Sequence, residues 1–242
     1  MTKIYLILFF LCINSLSIKN DTLKKLIKNF DEFKRPVIHE IFTEKKGEII
    51  KFSYASKIIK IYSYQLEPAK LVIVQNNKNI FENNLNYAIW GHYFEKVISF
   101  DADKNGFDDI FIISTPVGAS GDGANIRHIT ALFFYADSDI KCFELSSFFG
   151  AENLFADFNG DGKIEFACVK LIRDNKYKYY SINLFSFEKG NIINTSNASE
   201  LFPIYAEENG YITIIKSLPS SIEEESFFNY PNVLIKSVQK KR

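Results

Sequence analysis

Two acidic stretches, Asp101-Ala-Asp-Lys-Asn-Gly-Phe-Asp-Asp109 and Asp157-Phe-Asn-Gly-Asp-Gly-Lys-Ile-Glu165, decide how this chain is interpreted. Counted from its first aspartate, each stretch has an oxygen-bearing side chain at positions 1, 3, 5 and 9 and a glycine at position 6. This spacing lets a tight loop surround a hard cation with its own oxygens, and glycine accepts the sharp turn. Because the whole pattern recurs, it predicts a repeated calcium-binding unit.

The predicted ligands of each loop are four side chains and one main-chain carbonyl. In the first loop they are Asp101, Asp103, Asn105, the carbonyl of Phe107, and Asp109. In the second loop they are Asp157, Asn159, Asp161, the carbonyl of Lys163, and Glu165. Ligand sets made only of oxygen favour Ca²⁺ over zinc or copper. An acidic turn without metal is the alternative, because Asp, Asn and Gly also favour plain turns.

The residues that follow the loops do not fit an EF-hand. Position 12 of that motif is a glutamate that binds with both oxygens, whereas here it is Ile112 in the first loop and Cys168 in the second. The residues beyond position 9 have the pattern of strands rather than helices. The sequence therefore predicts a calcium site that stabilises a sheet, and no calcium-triggered switch.

From about Ile38 onward the apolar runs are short, aromatic and β-branched, which is typical of strands. Three segments that begin at Leu71, Leu132 and Leu184 share the form strand, polar turn, strand, which predicts hairpins. They recur with a period of roughly 50 to 60 residues, which favours modular sheets packed side by side as in a propeller. We therefore expect a mainly β fold, a propeller-like array of roughly three to four antiparallel blades.

The N-terminus predicts an exported protein. Residues 1–17 form a signal peptide in this interpretation, because Lys3 precedes an apolar run over residues 4–13 that is too short to span a bilayer, and Ser15 and Ser17 suit a cleavage site. The mature chain would be periplasmic, secreted or on the cell surface, without a transmembrane helix. A lipid anchor at Cys12 and a retained N-terminal anchor are the alternatives.

Residues 18–37 predict a short helix and a linker. Several apolar side chains fall on one helical face, and Pro36 prevents the helix from continuing. The residues of that face are Leu23, Leu26, Ile27, Phe30 and Phe33.

Charge and side-chain chemistry exclude some classes of function. The 242 residues contain 29 basic and 29 acidic side chains, so no net field attracts nucleic acid. Cys142 and Cys168 lie in apolar runs, which favours buried free thiols over a disulfide. The three histidines are scattered and no nucleophile motif accompanies them. We expect a binding protein rather than an enzyme, and a hydrolase with acidic catalytic residues stays an alternative.

The loops and their flanks resemble the FG-GAP repeat of integrin α-chains and the closely related VCBS repeat. Phe149-Gly150 precedes the second loop, Trp90-Gly91 precedes the first, and Ser114-Thr-Pro116 stands where the family has Gly-Ala-Pro. The resemblance covers units at about residues 87–143 and 144–193 within a repeat domain of residues 38–242.

This resemblance implies a four-stranded blade per unit, calcium bound in the loop between two strands, and a role in adhesion or ligand binding. The partner would be a protein or a glycan, contacted by loops such as residues 118–125, although that segment also suits a plain connection. The chain is shorter than seven such units, so a ring would be small, open or completed by an oligomer. A structural component of the cell envelope without a soluble ligand is the remaining alternative.

Overall fold

The structure is a computed structural model, and it describes residues 18–19, 33–64, 67–86, 93–115, 125–135, 139–148, 154–173, 177–188, 191–196, 202–209 and 211–219. These residues form seventeen strands in three antiparallel sheets. The chain divides into two compact units, residues 36–151 with 233–242 and residues 1–35 with 152–232. The prediction of a mainly β fold is confirmed.

The unit that begins at residue 36 contains two five-stranded sheets. Sheet A comprises, in pairing order, β3 (Glu44–Lys46), β4 (Ile49–Tyr54), β5 (Lys57–Tyr64), β6 (Glu67–Gln75) and β7 (Lys78–Asn84). Sheet B comprises, in pairing order, β11 (Ile140–Phe148), β10 (Ile126–Phe134), β9 (Asp109–Ser114), β8 (Phe94–Phe100) and β2 (His39–Ile41). Both sheets consist mainly of strands that are consecutive in the chain.

The other unit contains sheet C. In pairing order it comprises β1 (Ile18–Lys19), β17 (Tyr211–Ile215), β16 (Ile204–Glu208), β14 (Lys178–Glu188), β13 (Glu165–Arg173) and β12 (Phe155–Ala156), with β15 (Asn191–Asn194) also paired to β14. Its longest ladder joins β13 and β14, from Glu165 opposite Ser186 to Arg173 opposite Lys178.

The three predicted hairpins are confirmed. They are formed by β6 with β7, β10 with β11, and β14 with β15. The β6–β7 turn places Asn76 and Asn77 at φ 51° and 60°, a left-handed conformation that asparagine tolerates better than most residues. Two consecutive residues with positive φ give the turn a twist that matches the twist of the flanking strands.

Sheets A and B share one hydrophobic core. Apolar side chains that alternate along β4, β5 and β6 meet those of β8, β9 and β10. The Tyr54 ring of sheet A lies 5.5 Å from the Phe134 ring of sheet B, between centroids. The large aliphatic and aromatic members of this core are Ile50, Phe52, Ile59, Ile61, Leu71, Ile73, Leu85, Phe94, Val97, Ile110, Ile112, Leu132, Phe134 and Ile140.

The opposite face of sheet B is also buried and is lined by phenylalanines. Phe111 stacks on Phe100 with ring centroids 4.5 Å apart, and Phe133 meets Phe111 and Phe143 edge-on at 6.1 Å and 5.6 Å. Since β9 and most of β10 are buried on both faces, their sequences are continuous apolar runs rather than alternating ones.

The predicted N-terminal helix is not found among the described residues. Ile18 and Lys19, which precede the apolar face of the predicted helix, form β1, which pairs with Ile212 and Tyr211 of β17. Cross-strand pairing, which depends on residues far along the chain, decides such a short segment. The predicted signal peptide and the apolar positions from Leu23 to Phe30 lie outside the described residues, whereas Phe33 packs on Phe158 with ring centroids 5.1 Å apart.

Candidate metal centre

Each acidic loop connects two neighbouring antiparallel strands of one sheet. The first loop, residues 101–109, joins β8 to β9 in sheet B, and the second loop, residues 157–165, joins β12 to β13 in sheet C. In both loops position 9 is the first residue of the following strand, which confirms that the loops lead into sheet rather than helix.

The carboxylate at position 9 closes each loop in the same way. Asp109 Oδ2 accepts the N–H of Ala102 at 3.0 Å, and Glu165 Oε2 accepts the N–H of Phe158 at 2.8 Å. Both donors are at position 2, and both carboxylates are fully buried. The start and end of each loop are therefore joined by one buried hydrogen bond.

The aspartate at position 1 accepts a hydrogen bond from a main-chain N–H in the middle of each loop. Gly106 N–H donates to Asp101 Oδ2 and Gly162 N–H donates to Asp157 Oδ2, both at 3.0 Å. Position 5 likewise donates its N–H to the side-chain oxygen of position 3, and position 7 donates to that of position 5. These bonds are Asn105 to Asp103 at 3.2 Å, Asp161 to Asn159 at 2.8 Å, Phe107 to Asn105 at 2.8 Å and Lys163 to Asp161 at 2.7 Å.

Backbone angles repeat between the loops as well. Position 6 is a glycine at φ 87° in the first loop and 86° in the second, and position 4 is Lys104 at φ 57° or Gly160 at φ 79°. A Cβ added to Gly106 would meet nothing within 4 Å, so glycine is favoured there by the positive φ rather than by lack of space. Lys104 shows that the left-handed position 4 tolerates a side chain at a cost of about 1 kcal/mol.

In the first loop three predicted ligands converge. The carboxylates of Asp101, Asp103 and Asp109 each offer an oxygen, and these three oxygens lie within 4.8 Å of one another. Burial raises the pKa of Asp109 to about 8, and the nearby carboxylates of Asp103 and Asp101 act in the same direction. The metal-free loop thus holds a buried carboxylate among like charges, an arrangement that a bound cation would relieve.

The first loop is also attached to the end of β10, which the sequence did not predict. The Tyr135 hydroxyl donates to Asp103 Oδ2 at 2.7 Å, Asn105 Nδ2 donates to the Phe134 carbonyl at 3.0 Å, and the Phe134 N–H reaches Asp109 Oδ1 at 3.4 Å. Strand register brings these residues to the loop. The sequence would have placed Tyr135 beside the loop only if the residue-by-residue pairing of β9 with β10 had been known.

In the second loop a buried oxygen has no partner. Glu165 is 0% exposed, and its Oε1 accepts no hydrogen bond although its Oε2 is bonded to Phe158. Burial raises the pKa of Glu165 to about 7, with Asp161 and Asp157 acting in the same direction. A buried carboxylate oxygen is normally paired, so Oε1 is chemically suited to a cation or a water molecule. Within the described part of the chain, the carboxylates of this loop do not converge as those of the first loop do.

Phe107 and Lys163, at position 7, were predicted to contribute only main-chain oxygens. The Phe107 side chain is 48% exposed, and the Lys163 ammonium pairs with Glu188 Oε1 at 2.8 Å on the surface. That pair raises the pKa of Lys163. Neither side chain is therefore needed by the site, and ligation through the two carbonyls stays a prediction.

Other residues considered in the sequence do not form a second centre among the described residues. Cys142 and Cys168 are free and buried, as predicted, and burial raises the pKa of Cys142 to about 12 and that of Cys168 to about 11. His39 lies on β2 and His128 on β10. His92, Trp90-Gly91, Phe149-Gly150 and residues 118–124 lie outside the described residues.

The resemblance to FG-GAP and VCBS repeats is supported by the residues of the two loops and their flanks, and not by a comparison with known proteins. No protein-family model, curated protein or solved structure matches this chain. Among the described residues, no helix has the length and apolar character needed to cross a membrane.

Proposed function

We propose that this protein is an exported calcium-binding repeat protein of FG-GAP/VCBS type, in which calcium stabilises the loops between strands. The observation that carries the proposal is the common construction of the two loops. They share the hydrogen bonds from position 2 to 9, 5 to 3, 6 to 1 and 7 to 5, and the left-handed residues at positions 4 and 6. A chance acidic turn has no reason to recur with all of these features.

The composition of the two loops favours calcium as the ion. Each offers carboxylate, amide and carbonyl oxygens and no sulfur or imidazole, a donor set that suits hard cations. Two carboxylates about 5 Å apart repel by roughly 1 kcal/mol even in water and by more when buried. Binding of a divalent cation would remove this repulsion, and the unpartnered Oε1 of Glu165 offers it a ready ligand.

A structural role for the ion follows from where the loops lie. Each loop joins two neighbouring strands of one sheet, so an ion bound there would fasten those strands rather than open a groove. Extracellular calcium modules bind at about 10⁻⁴ to 10⁻³ M, which suits a permanently bound ion in an exported protein. The predicted signal peptide at residues 1–17 supports this location.

A binding or adhesion module is the larger role that we propose. Sheets A and B are each five-stranded and antiparallel, and each contains four or more consecutive strands paired in order, as in the four-stranded blades of a propeller. This pairing supports a propeller-like array of roughly three to four blades. In such arrays the connecting loops carry recognition, and we propose a protein or glycan as the partner.

The first test measures thermal unfolding of the full mature chain in millimolar calcium and in EDTA. We expect calcium to raise the melting temperature by on the order of 5 °C, since an ion that binds only the folded state stabilises it by mass action. Asp101→Asn and Asp157→Asn should each remove roughly half of this gain, because each removes a position-1 ligand.

Asp108→Asn is the matched control for that test. It removes one negative charge from the first loop at position 8, which is not a predicted ligand, and it leaves the Asp108 carbonyl that accepts the Tyr54 hydroxyl at 2.9 Å. The full calcium effect should survive in this variant. Melting curves that are identical in calcium and in EDTA would contradict the proposed function.

A further inference from the structure

The Asp103 carboxylate is held by two hydrogen bonds, one on each oxygen. Its Oδ1 accepts the N–H of Asn105 at 3.2 Å within the loop, and its Oδ2 accepts the hydroxyl of Tyr135 at 2.7 Å from outside the loop. A carboxylate has about four lone-pair positions, so both oxygens still have capacity for a cation. The two bonds together fix the rotation of the carboxylate plane.

Tyr135 is itself fixed by its surroundings. Its N–H donates to the Asp139 carbonyl at 3.0 Å, which closes the connection from β10 to β11. The ammonium group of Lys141 lies 5.8 Å from the centre of its ring. The hydroxyl therefore reaches Asp103 from a ring whose position is set by the hairpin and not by the loop.

The second loop provides a natural comparison. Continuing the β13–β14 register past Glu165 brings Glu188 opposite Lys163, and the same step past β9 brings Tyr135 opposite Phe107. The two residues thus occupy equivalent places on their hairpins. Glu188 binds the position-7 side chain, which is not a predicted side-chain ligand, whereas Tyr135 binds the position-3 ligand directly.

From this difference we propose that Tyr135 is a positioning residue of the first cation site, which acts by holding Asp103 in its binding orientation. The inference rests on the proposed calcium function. Residues that hydrogen-bond to metal ligands orient them before the ion arrives, and their loss typically weakens metal binding 10- to 100-fold. The affinity of the first site would then depend on the β10–β11 hairpin, while that of the second site would not depend on the equivalent residue.

The test uses the full mature chain with Asp157→Asn as background, so that only the first site binds. Isothermal titration with calcium chloride should show a dissociation constant about tenfold higher for Tyr135→Phe, which removes one hydroxyl and keeps the ring. Tyr54→Phe is the matched control, because it also removes a hydroxyl that contacts this loop, at the main-chain carbonyl of Asp108. We expect the dissociation constant of that control to stay within about twofold.

A double-mutant cycle separates positioning from a general structural role. In an Asp103→Ala background, titrated with terbium chloride because its third charge keeps weak sites measurable, Tyr135→Phe should have no further effect. A tenfold loss that persists in that background would overturn the proposal, and so would an unchanged dissociation constant for Tyr135→Phe alone. If the Asp157→Asn background binds neither ion, the first loop is not a cation site, which overturns both its proposed calcium function and the role of Tyr135.

Discussion

At the scale of single residues, position 9 of each loop places a carboxylate in the interior of the protein. Asp109 and Glu165 are fully buried, and one carboxylate oxygen of each accepts a hydrogen bond from the N–H of position 2. A buried carboxylate is costly unless it is paired, which explains why burial raises the pKa of both groups. The sequence predicted the residue type and spacing at position 9. It did not predict that these side chains are buried, because burial depends on how the strand that begins there packs within its sheet.

His128 makes the stability of the protein depend on pH. Partial burial of its side chain on β10 lowers the pKa of His128 to about 4, while an unfolded chain leaves a histidine at its ordinary value of 6.5. The folded state therefore excludes a proton that the unfolded state binds, so this contribution is complete above pH 6.5 and is lost as the pH falls toward 4. The loss should be on the order of 3 kcal/mol.

Denaturant unfolding between pH 7 and pH 4 checks this prediction, with His128→Gln as the comparison. The side chain of glutamine does not titrate, so the variant should lose less stability than the wild type over this range. The difference between the two proteins isolates His128 from the carboxylates, which titrate in both. Parallel pH profiles would show that His128 is not the group responsible.

At the scale of elements, hairpins were predictable and the N-terminal segment was not. The strands of the hairpins that begin at Leu71, Leu132 and Leu184 are close in sequence and separated by polar turns, so local pattern was enough. Ile18 and Lys19 form β1 only because β17, almost two hundred residues later, offers an edge to pair with. No local propensity carries that information.

The phenylalanine layer of sheet B makes a contribution to stability that a single substitution can measure. Phe111 is fully buried between the rings of Phe100 and Phe133, so Phe111→Ala would leave a cavity and lose its stacking contacts. We expect this substitution to lower the free energy of unfolding by about 3 to 5 kcal/mol. Chemical denaturation measures the change.

Phe42→Ala removes the same side chain from a surface position and serves as control. Phe42 is 84% exposed, so its truncation should change stability by no more than about 0.5 kcal/mol. Equal losses at the two positions would mean that the phenylalanine layer does not contribute as its packing indicates.

At the scale of the whole molecule, each of the two compact units carries one acidic loop. The proposed function therefore predicts two calcium ions per chain. Native mass spectrometry should show two bound ions for the wild type, one for Asp101→Asn or Asp157→Asn, and none for the double variant. Two ions that persist in the double variant would place the binding elsewhere in the chain.

The order of strands in the sheets lies beyond local sequence as well. The pattern predicted strands and hairpins, yet it did not predict that β2 joins β8 at an edge of sheet B or that β14 carries both β15 and β16. Such pairings depend on which apolar faces cover each other once the chain is compact. A short edge strand such as β2 has too few residues to show a recognisable apolar periodicity, so the sequence does not predict its pairing.

The linear order of residues was enough to place the loop oxygens, the turn glycines and the hairpins, because each depends on neighbours within about a dozen positions. Folding in three dimensions brought Tyr135 to Asp103, buried Glu165 with an unpartnered oxygen, and paired β1 with β17. These features depend on strand register and packing between distant segments. Spacing along the chain determines which side chains a single loop can bring together, whereas strand register and packing determine the contacts between residues that are distant in sequence.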